Sequence, residues 1–227
     1  MKKDDAVLKF QGVSREYSQA GQKIVALQKT DFSVRPGEFV AIIGPSGSGK
    51  STFLTIAGGL QNPTRGLVIM NGVDITTLSV KELSRMRLSE VGFILQASNL
   101  VPYLTVEKQL KLIDRAMKRK EQADVMEQLF GALSITKLRK KYPSDLSGGE
   151  RQRAAIAKVL YGTSRLILAD EPTASLDTTK AFEVVKLLAR ETHERGKATI
   201  MVTHDERLLE YCDVVYEMHD GLLERRG

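Results

Sequence analysis

Apolar residues along this chain fall into short runs of two periodicities, and the two kinds alternate. Runs at residues 6–10, 24–27 and 38–43 (EFVAII) are brief and carry β-branched residues, which predicts strands. Residues 66–70 (GLVIM) and 73–75 predict two more, separated by the tight-turn pair Asn71-Gly72. Together they predict a small antiparallel element wrapped around the strand at 38–43. Residues 51–60 (STFLTIAGGL) read as the first turns of a helix. From about 102 to 160 the pattern is helical, with breaks at Gly131 and at Tyr142-Pro143. Val106, Leu110, Ile113 and Met117, spaced by four, three and four, define one apolar helix face. Beyond 160 an apolar run at 166–169, a helix at 178–195 ending at Gly196, and a buried strand at 199–203 (TIMVT) alternate. Such alternation predicts a mainly parallel sheet covered on both faces. No internal repeat or low-complexity tract interrupts it.

Composition narrows the setting. At 227 residues, 42% hydrophobic and 27% charged, the chain suits one α/β domain with an elaborated subdomain. Trp is absent and aromatics are 6%, which argues against a surface built on stacking. No apolar stretch approaches the roughly 20 residues needed to span a bilayer, and MKKDDAVLKF lacks the apolar core of a signal peptide. The single cysteine, Cys212, excludes an internal disulfide, fits a reducing cytosol and reads as a small packed hydrophobe. A net charge of +6 suits two anionic partners, nucleic acid and the inner leaflet of a membrane. Much of the excess lies at 108–120 and 137–141, and in the first of these it forms the solvated side of an amphipathic helix.

The sharpest chemistry lies between the strand at 38–43 and the helix at 51–60. Gly44-Pro45-Ser46-Gly47-Ser48-Gly49-Lys50-Ser51-Thr52 has the phosphate-loop pattern G-x-x-x-x-G-K-[ST]. Its glycines let backbone N–H groups curl around phosphate oxygens at the positive end of a helix. Lys50 adds a point charge for the outer phosphates, and the Ser51 hydroxyl offers a ligand to Mg²⁺. Residues 165–171 (RLILADE) place two carboxylates where a buried strand emerges. Ligands of parallel sheets bind at such ends, so Asp170 is expected to hold Mg²⁺ and Glu171 to accept a proton from an attacking water. Leu146-Ser147-Gly148-Gly149-Glu150 reads equally as a capped helix start, with Glu150 as capping-box partner of Ser147, and as a second phosphate cradle.

These motifs, in this order, resemble the ATP-binding subunits of ABC transporters over essentially the whole chain. GPSGSGKST is similar to that family's Walker A, LILADE to its Walker B and LSGGE to its signature, with Glu150 where glutamine is commoner. Gln96 matches the loop glutamine that senses Mg²⁺ and touches the membrane subunit. Ser175-Leu176-Asp177 matches the D-loop, His204 the switch histidine and Tyr17 the aromatic that stacks on adenine. The resemblance implies a P-loop NTPase of ABC type, residues 1–227 forming one ATP-binding domain. Its features are a mainly parallel core sheet, a small antiparallel β-subdomain and an inserted helical subdomain at about 97–160. It implies ATP and Mg²⁺, with Glu171, His204 and Lys50 catalytic. Tyr17, Ser46, Gly47, Ser48, Gly49, Lys50, Ser51, Thr52 and Gln96 would hold the nucleotide, and Ser51, Gln96 and Asp170 the metal. Ser147, Gly148, Gly149, Glu150 and Asp177 would reach across a dimer to the nucleotide of a second copy.

Within the family, the stretches GPSGSGKST, LSGGERQR and ILADEPTASLD resemble the MacB/lipoprotein-release branch. Residues 98–104, running on to Gln109-Leu110, and residues 203–211 are most similar to haem-efflux (Hrt-type) ATPases. That implies a MacB-type integral membrane permease in two copies, with the chain at the cytoplasmic face of the membrane and a second copy of itself as partner. Antimicrobial-peptide or lipoprotein transport, or regulation of a membrane complex without transport, are the alternatives. Nucleic-acid ATPases share the ATP motifs but carry coiled-coil insertions, zinc modules or a tandem cassette; none is present, so nucleic acid is not an expected partner. His193, His204 and His219 make no haem site by spacing.

Overall fold

A computed structural model describes residues 6–19 and 22–226; the charged residues 1–5, read above against a signal peptide, lie outside them. In chain order, β1 (Leu8–Gln19) and β2 (Gln22–Val34) pair antiparallel, and β3 (Phe39–Ile43) runs into the phosphate loop and α1 (Lys50–Ala57). β4 (Arg65–Met70), β5 (Val73–Asp74), α2 (Val80–Glu90) and β6 (Val91–Ile94) follow. Three helices come next: α3 (Val106–Ala116), α4 (Ala123–Ala132) and α5 (Gly148–Tyr161). The chain then adds β7 (Leu166–Asp170), α6 (Thr178–His193), β8 (Ala198–Val202), β9 (Val214–His219) and β10 (Leu222–Arg225).

Two sheets result. β2-β1-β4-β5 is antiparallel, and β10-β9-β3-β8-β7-β6 is parallel except for the β9–β10 hairpin. The central strands are buried on both faces, and alternate residues serve different cores. Val40, Ile42, Leu168 and Ile200 face α1 and the antiparallel sheet, whereas Phe39, Ile167 and Met201 face α3–α6. A strand's two-residue period makes one apolar run supply both layers. Phe53 of α1 sits between the sheets, its ring 4.9 Å from Phe10 and 5.1 Å from Phe32, and Phe32 meets Tyr216 of β9 at 5.3 Å. Each such buried ring stabilises the fold by about 1.5–3 kcal/mol. The phosphate-loop helix is therefore clamped between two layers.

Several elements depart from the sequence-based expectation. β2 extends far beyond residues 24–27; Thr30, Phe32 and Val34 are buried on alternate positions while Ile24 and Val25 lie exposed. The antiparallel strands form a sheet of their own over α1 rather than wrapping β3. α1 stops at Ala57, where Gly58 caps it and Gly59 turns with φ +64°. Gly131 lies inside α4 rather than breaking it, and α6 ends at His193, two residues early. α2, β6 and the β9–β10 hairpin had no counterpart in the sequence reading. The apolar face of α3 is as expected: Val106 and Leu110 are buried, Ile113 and Met117 half-buried, Lys108 and Arg115 exposed.

Candidate nucleotide site

The site is built at the carboxyl end of β3. Gly44 and Gly49 have φ of +145° and +109°, and a Cβ on either would lie 2.2 Å from a backbone oxygen, of Met218 and Ala26 respectively. Only glycine lets the loop pass that close. The two-residue turn Asp220-Gly221, with φ of +46° and +78°, braces it from behind. Gly221 N–H donates to Ser48 O at 2.8 Å, and Gln28 N–H donates to Gly221 O at 2.8 Å. The loop is thereby fixed to both sheets.

Lys50 is buried and donates through Nζ to Gly44 O and Pro45 O, each at 2.7 Å. Burial lowers its pKa, and the charges of Glu171 and Asp170 oppose that shift. The Ser48 Oγ is buried with no hydrogen-bond partner among the described residues. An orphaned hydroxyl inside a loop of backbone donors fits a phosphate oxygen. Ser51 Oγ donates to Asp170 Oδ2 at 3.2 Å, so a hydroxyl and a carboxylate converge as hard oxygen ligands of the kind Mg²⁺ takes. The residues present therefore fit a magnesium-bound nucleotide.

Asp170 ends β7, and Glu171 follows in a left-handed conformation, φ +49°, with its N–H donating to Val202 O at 3.0 Å. Glu171 Oε1 lies 3.2 Å from His204 Nε2, and that oxygen is buried without a well-oriented hydrogen bond. Burial raises the Glu171 pKa above the ordinary carboxylate range, with His204 the chief opposing influence. Such a carboxyl is a better proton acceptor than an exposed one. His204 follows β8 in a turn held by Asp205, whose N–H donates to Thr203 Oγ1 and whose carboxylate takes both arms of Arg207 at 2.8 Å.

Tyr17, near the end of β1, donates its hydroxyl to Gln61 Oε1 at 2.9 Å. With Ser51, Thr52, Thr55, Leu60 and Gln61 it lines a crevice of about 360 Å³ beside the phosphate loop. Gln96 is exposed beyond β6 and shares another crevice with Gly148, Arg151 and Ser175. The metal set expected from the sequence is thus two-thirds assembled: Ser51 and Asp170 meet, and no contact joins Gln96 to either among the described residues.

Ser147 and Glu150 form a capping box at the start of α5: Ser147 N–H donates to Glu150 Oε2 at 2.8 Å, and Glu150 N–H to Ser147 Oγ at 3.3 Å. The bond from the Ser147 backbone holds the Glu150 carboxyl below its usual range. Gly148 and Gly149 lie beside Ser175, and Asp177 caps α6 by accepting from Lys180 N–H at 2.9 Å. Both motifs have complete structural roles within one chain. Sequence reasoning missed the polar ties around them. Gln152 accepts from Ser98 Oγ and donates to Leu95 O, while Lys158 donates to Asn99 O at 2.7 Å, joining α5 to the segment after β6. These partners are over fifty residues apart, beyond any local pattern.

The fold and this site define a P-loop ATPase whose phosphate loop, paired carboxylates and histidine come from neighbouring strand ends. The ABC transporter family matches residues 27–174. A hemin import ATP-binding protein HrtA of Staphylococcus haemolyticus is 41% identical over 219 residues, 96% of this chain and 99% of that protein. The protein so named in Staphylococcus aureus strain Newman is 39% identical over 216 residues, 94% and 97% of the two chains. Among solved structures, the dimeric cassette MJ0796 bound to ADP and Pi superposes with a TM-score of 0.90 at 33% identity, covering 97% of this chain and 99% of that one. CbiO1 of Clostridium perfringens, part of the ABC transporter complex cbiONQ, gives 0.81 at 29% identity, covering 97% and 88%. The chain belongs to the ABC transporter family, as its ATP-binding subunit. It binds ATP with Mg²⁺, hydrolyses it in step with transport, and works as a dimer with a membrane permease. Among the described residues no helix is long and apolar enough to cross a membrane.

Proposed function

We propose that this chain powers the movement of haem across a membrane, in the direction of efflux, from the cytoplasmic face. It would be attached there through a MacB-type permease present in two copies. The observation that carries the cargo is the 41% identity, over nearly the whole of both chains, with a relative named for hemin. Haem recognition is assigned to the permease. His193, His204 and His219 each face a carboxylate, of Asp213, Glu171 and Glu217, and no group of three or more potential ligands is placed to hold a metal among the described residues.

In this reading residues 1–227 are one cassette, with 97–160 a helical subdomain. Ser46 to Thr52 cradle the phosphates, Lys50 neutralises the outermost, and Tyr17 stacks on the adenine. Ser51 and Asp170, together with Gln96, would hold Mg²⁺, which would supply charge neutralisation at the phosphates. Glu171 takes the proton of the attacking water as its oxygen bonds to the γ-phosphorus and the bond to the bridging oxygen of ADP breaks. His204 orients Glu171 and contacts the γ-phosphate. Ser147, Gly148, Gly149, Glu150 and Asp177 complete the partner cassette's site, so ATP bridges the dimer and hydrolysis releases it.

The test is haemin tolerance of cells carrying Glu171→Gln on the chromosome, with a membrane-active peptide as control challenge. Efflux predicts selective haemin sensitivity. Import, the direction in the relatives' name, predicts protection from haemin and loss of growth on haem iron. No change in either haem phenotype would sink the cargo reading and move peptide or lipoprotein transport, or a regulatory role, to the front.

A further inference from the structure

Tyr17 is pinned at two points by residues no motif contains. At its hydroxyl end, Gln61 Oε1 accepts from Tyr17 and also, at 3.4 Å, from Thr55 of α1. Against its ring lies Arg15, with the guanidinium carbon 4.7 Å from the ring centroid. Arg15 is half-buried, donates through Nη1 to Asn62 O at 3.1 Å, and has a buried Nε with no partner. No carboxylate pairs with it among the described residues.

The local backbone explains the placement. Residues two apart on a strand share a face, so Arg15 and Tyr17 project together. β1 shifts register against β2 on both sides of Arg15, between Val13 and Arg15 and again between Arg15 and Glu16. Both shifts place the extra residue in β2, so the alternation of β1 carries through from Arg15 to Tyr17. The far half of β1 is then tied to the segment after α1: Thr64 N–H donates to Ser14 O and Glu16 N–H to Thr64 Oγ1. Arg15 is absent from the lining of the crevice that holds Tyr17, Thr52 and Gln61, while its guanidinium covers one face of the Tyr17 ring.

We propose that Arg15 is a positioning residue for nucleotide capture, backing one face of the Tyr17 ring so that a nucleobase stacks only on the other. This rests on the base-stacking role proposed for Tyr17. A cation with no carboxylate partner finds its favourable surface in the negative ring face, and the ring loses the freedom it would otherwise surrender on binding. Gln61 fixes the remaining rotation through the hydroxyl.

The measurement is titration of the purified chain with ADP and with pyrophosphate, which lacks a base, alongside ATP turnover. Arg15→Ala should weaken ADP about two- to fivefold, the worth of a surface cation–π contact, with pyrophosphate affinity and turnover at saturating ATP unchanged. In a Tyr17→Leu background the same substitution should add nothing. Arg15→Lys, which keeps a cation without the flat stack, should give the smaller loss, and it carries the test if circular dichroism shows the alanine variant unfolded. An equal loss for pyrophosphate, or the same loss without Tyr17, would make Arg15 a phosphate cation and overturn the proposal. If Tyr17→Leu weakens ADP while Arg15→Ala does not, this inference alone falls. If Tyr17→Leu itself leaves ADP affinity intact, the stacking role fails with it.

Discussion

Glu171→Gln separates catalysis from folding at one atom. Glutamine keeps the volume and the left-handed backbone of Glu171, and it removes a charge 3.2 Å from His204 Nε2 that can take up a proton. A positioned general base contributes about 10²–10⁴ in rate, or about 2.7–5.5 kcal/mol at tenfold per 1.36; turnover should fall by that factor. ATP affinity should hold, because Lys50 is fixed by Gly44 O and Pro45 O and the loop by Gly221, all independent of Glu171. Stability should move the other way. Burial raises the folded-state pKa of Glu171, so ionising it costs the folded protein stability as pH rises through the ordinary carboxylate range and beyond. A neutral amide does not carry that cost. The variant should melt higher than the parent at pH 7, with the gain shrinking as pH falls through the carboxylate range. Phosphate release at saturating MgATP, ATP titration, and melting curves at pH 7 and pH 4 decide it. Turnover within tenfold of the parent would remove Glu171 from the base role, and a lower melting temperature at pH 7 would refute the burial argument.

Lys50→Ala should weaken ATP binding itself, read by nucleotide titration; unchanged affinity would contradict the lysine's place at the phosphates. Ser79→Ala removes the capping box that Ser79 and Glu82 form at the start of α2, and should lower stability by about 1 kcal/mol in denaturant unfolding without touching turnover. Burial pushes the half-buried Cys212 thiol up to about 12, so at pH 8 a thiol reagent should label the folded chain far more slowly than the unfolded one, and equal rates would refute that shift.

What was legible in the sequence follows from how local each signal is. β3, β7 and β8 are buried on both faces, so their runs are uninterrupted and easily read. β2 escapes because its buried positions alternate with Gln28, Lys29, Asp31 and Ser33, which dilute the apolar count, whereas the run at 24–27 exposes Ile24 and Val25 and buries only Leu27. α2 buries only Leu83 and so carries no stripe; its signal was the Ser79–Glu82 capping box. The β9–β10 hairpin was announced by Asp220-Gly221 between two apolar runs. Within the site, contiguous motifs keep their residues together: Lys50 folds back on Gly44 and Pro45, and Ser51 meets Asp170. Gln96 lies instead in a separate crevice with Gly148, Arg151 and Ser175, and no spacing along the chain fixes its position relative to Ser51. Arg15, Gln61, Gln152 and Lys158 act through contacts across tens of residues, and no spacing along the chain records those.

The least regular backbone in the site carries its division of labour. A strand that simply continued past Asp170 would throw successive side chains to opposite faces of the sheet. Here Asp170 still pairs with Val202 in the ladder and turns to Ser51, while Glu171 leaves the strand with φ +49°. Among the described residues, the other non-glycine positions at positive φ are Asn71, Asn99, Lys118, Ser134 and Asp220, mostly short polar side chains suited to turns. A glutamate has no such excuse, and the conformation costs about 1–2 kcal/mol. It is held by Glu171 N–H on Val202 O and by Ala174 N–H on Glu171 O. The turn keeps two adjacent carboxylates at one strand end in distinct settings: Asp170 meets the Ser51 hydroxyl where a metal fits, and Glu171 is buried beside His204. A regular strand end would instead send Glu171 to the face of the sheet opposite Asp170, away from the Ser51 and Lys50 end of the site.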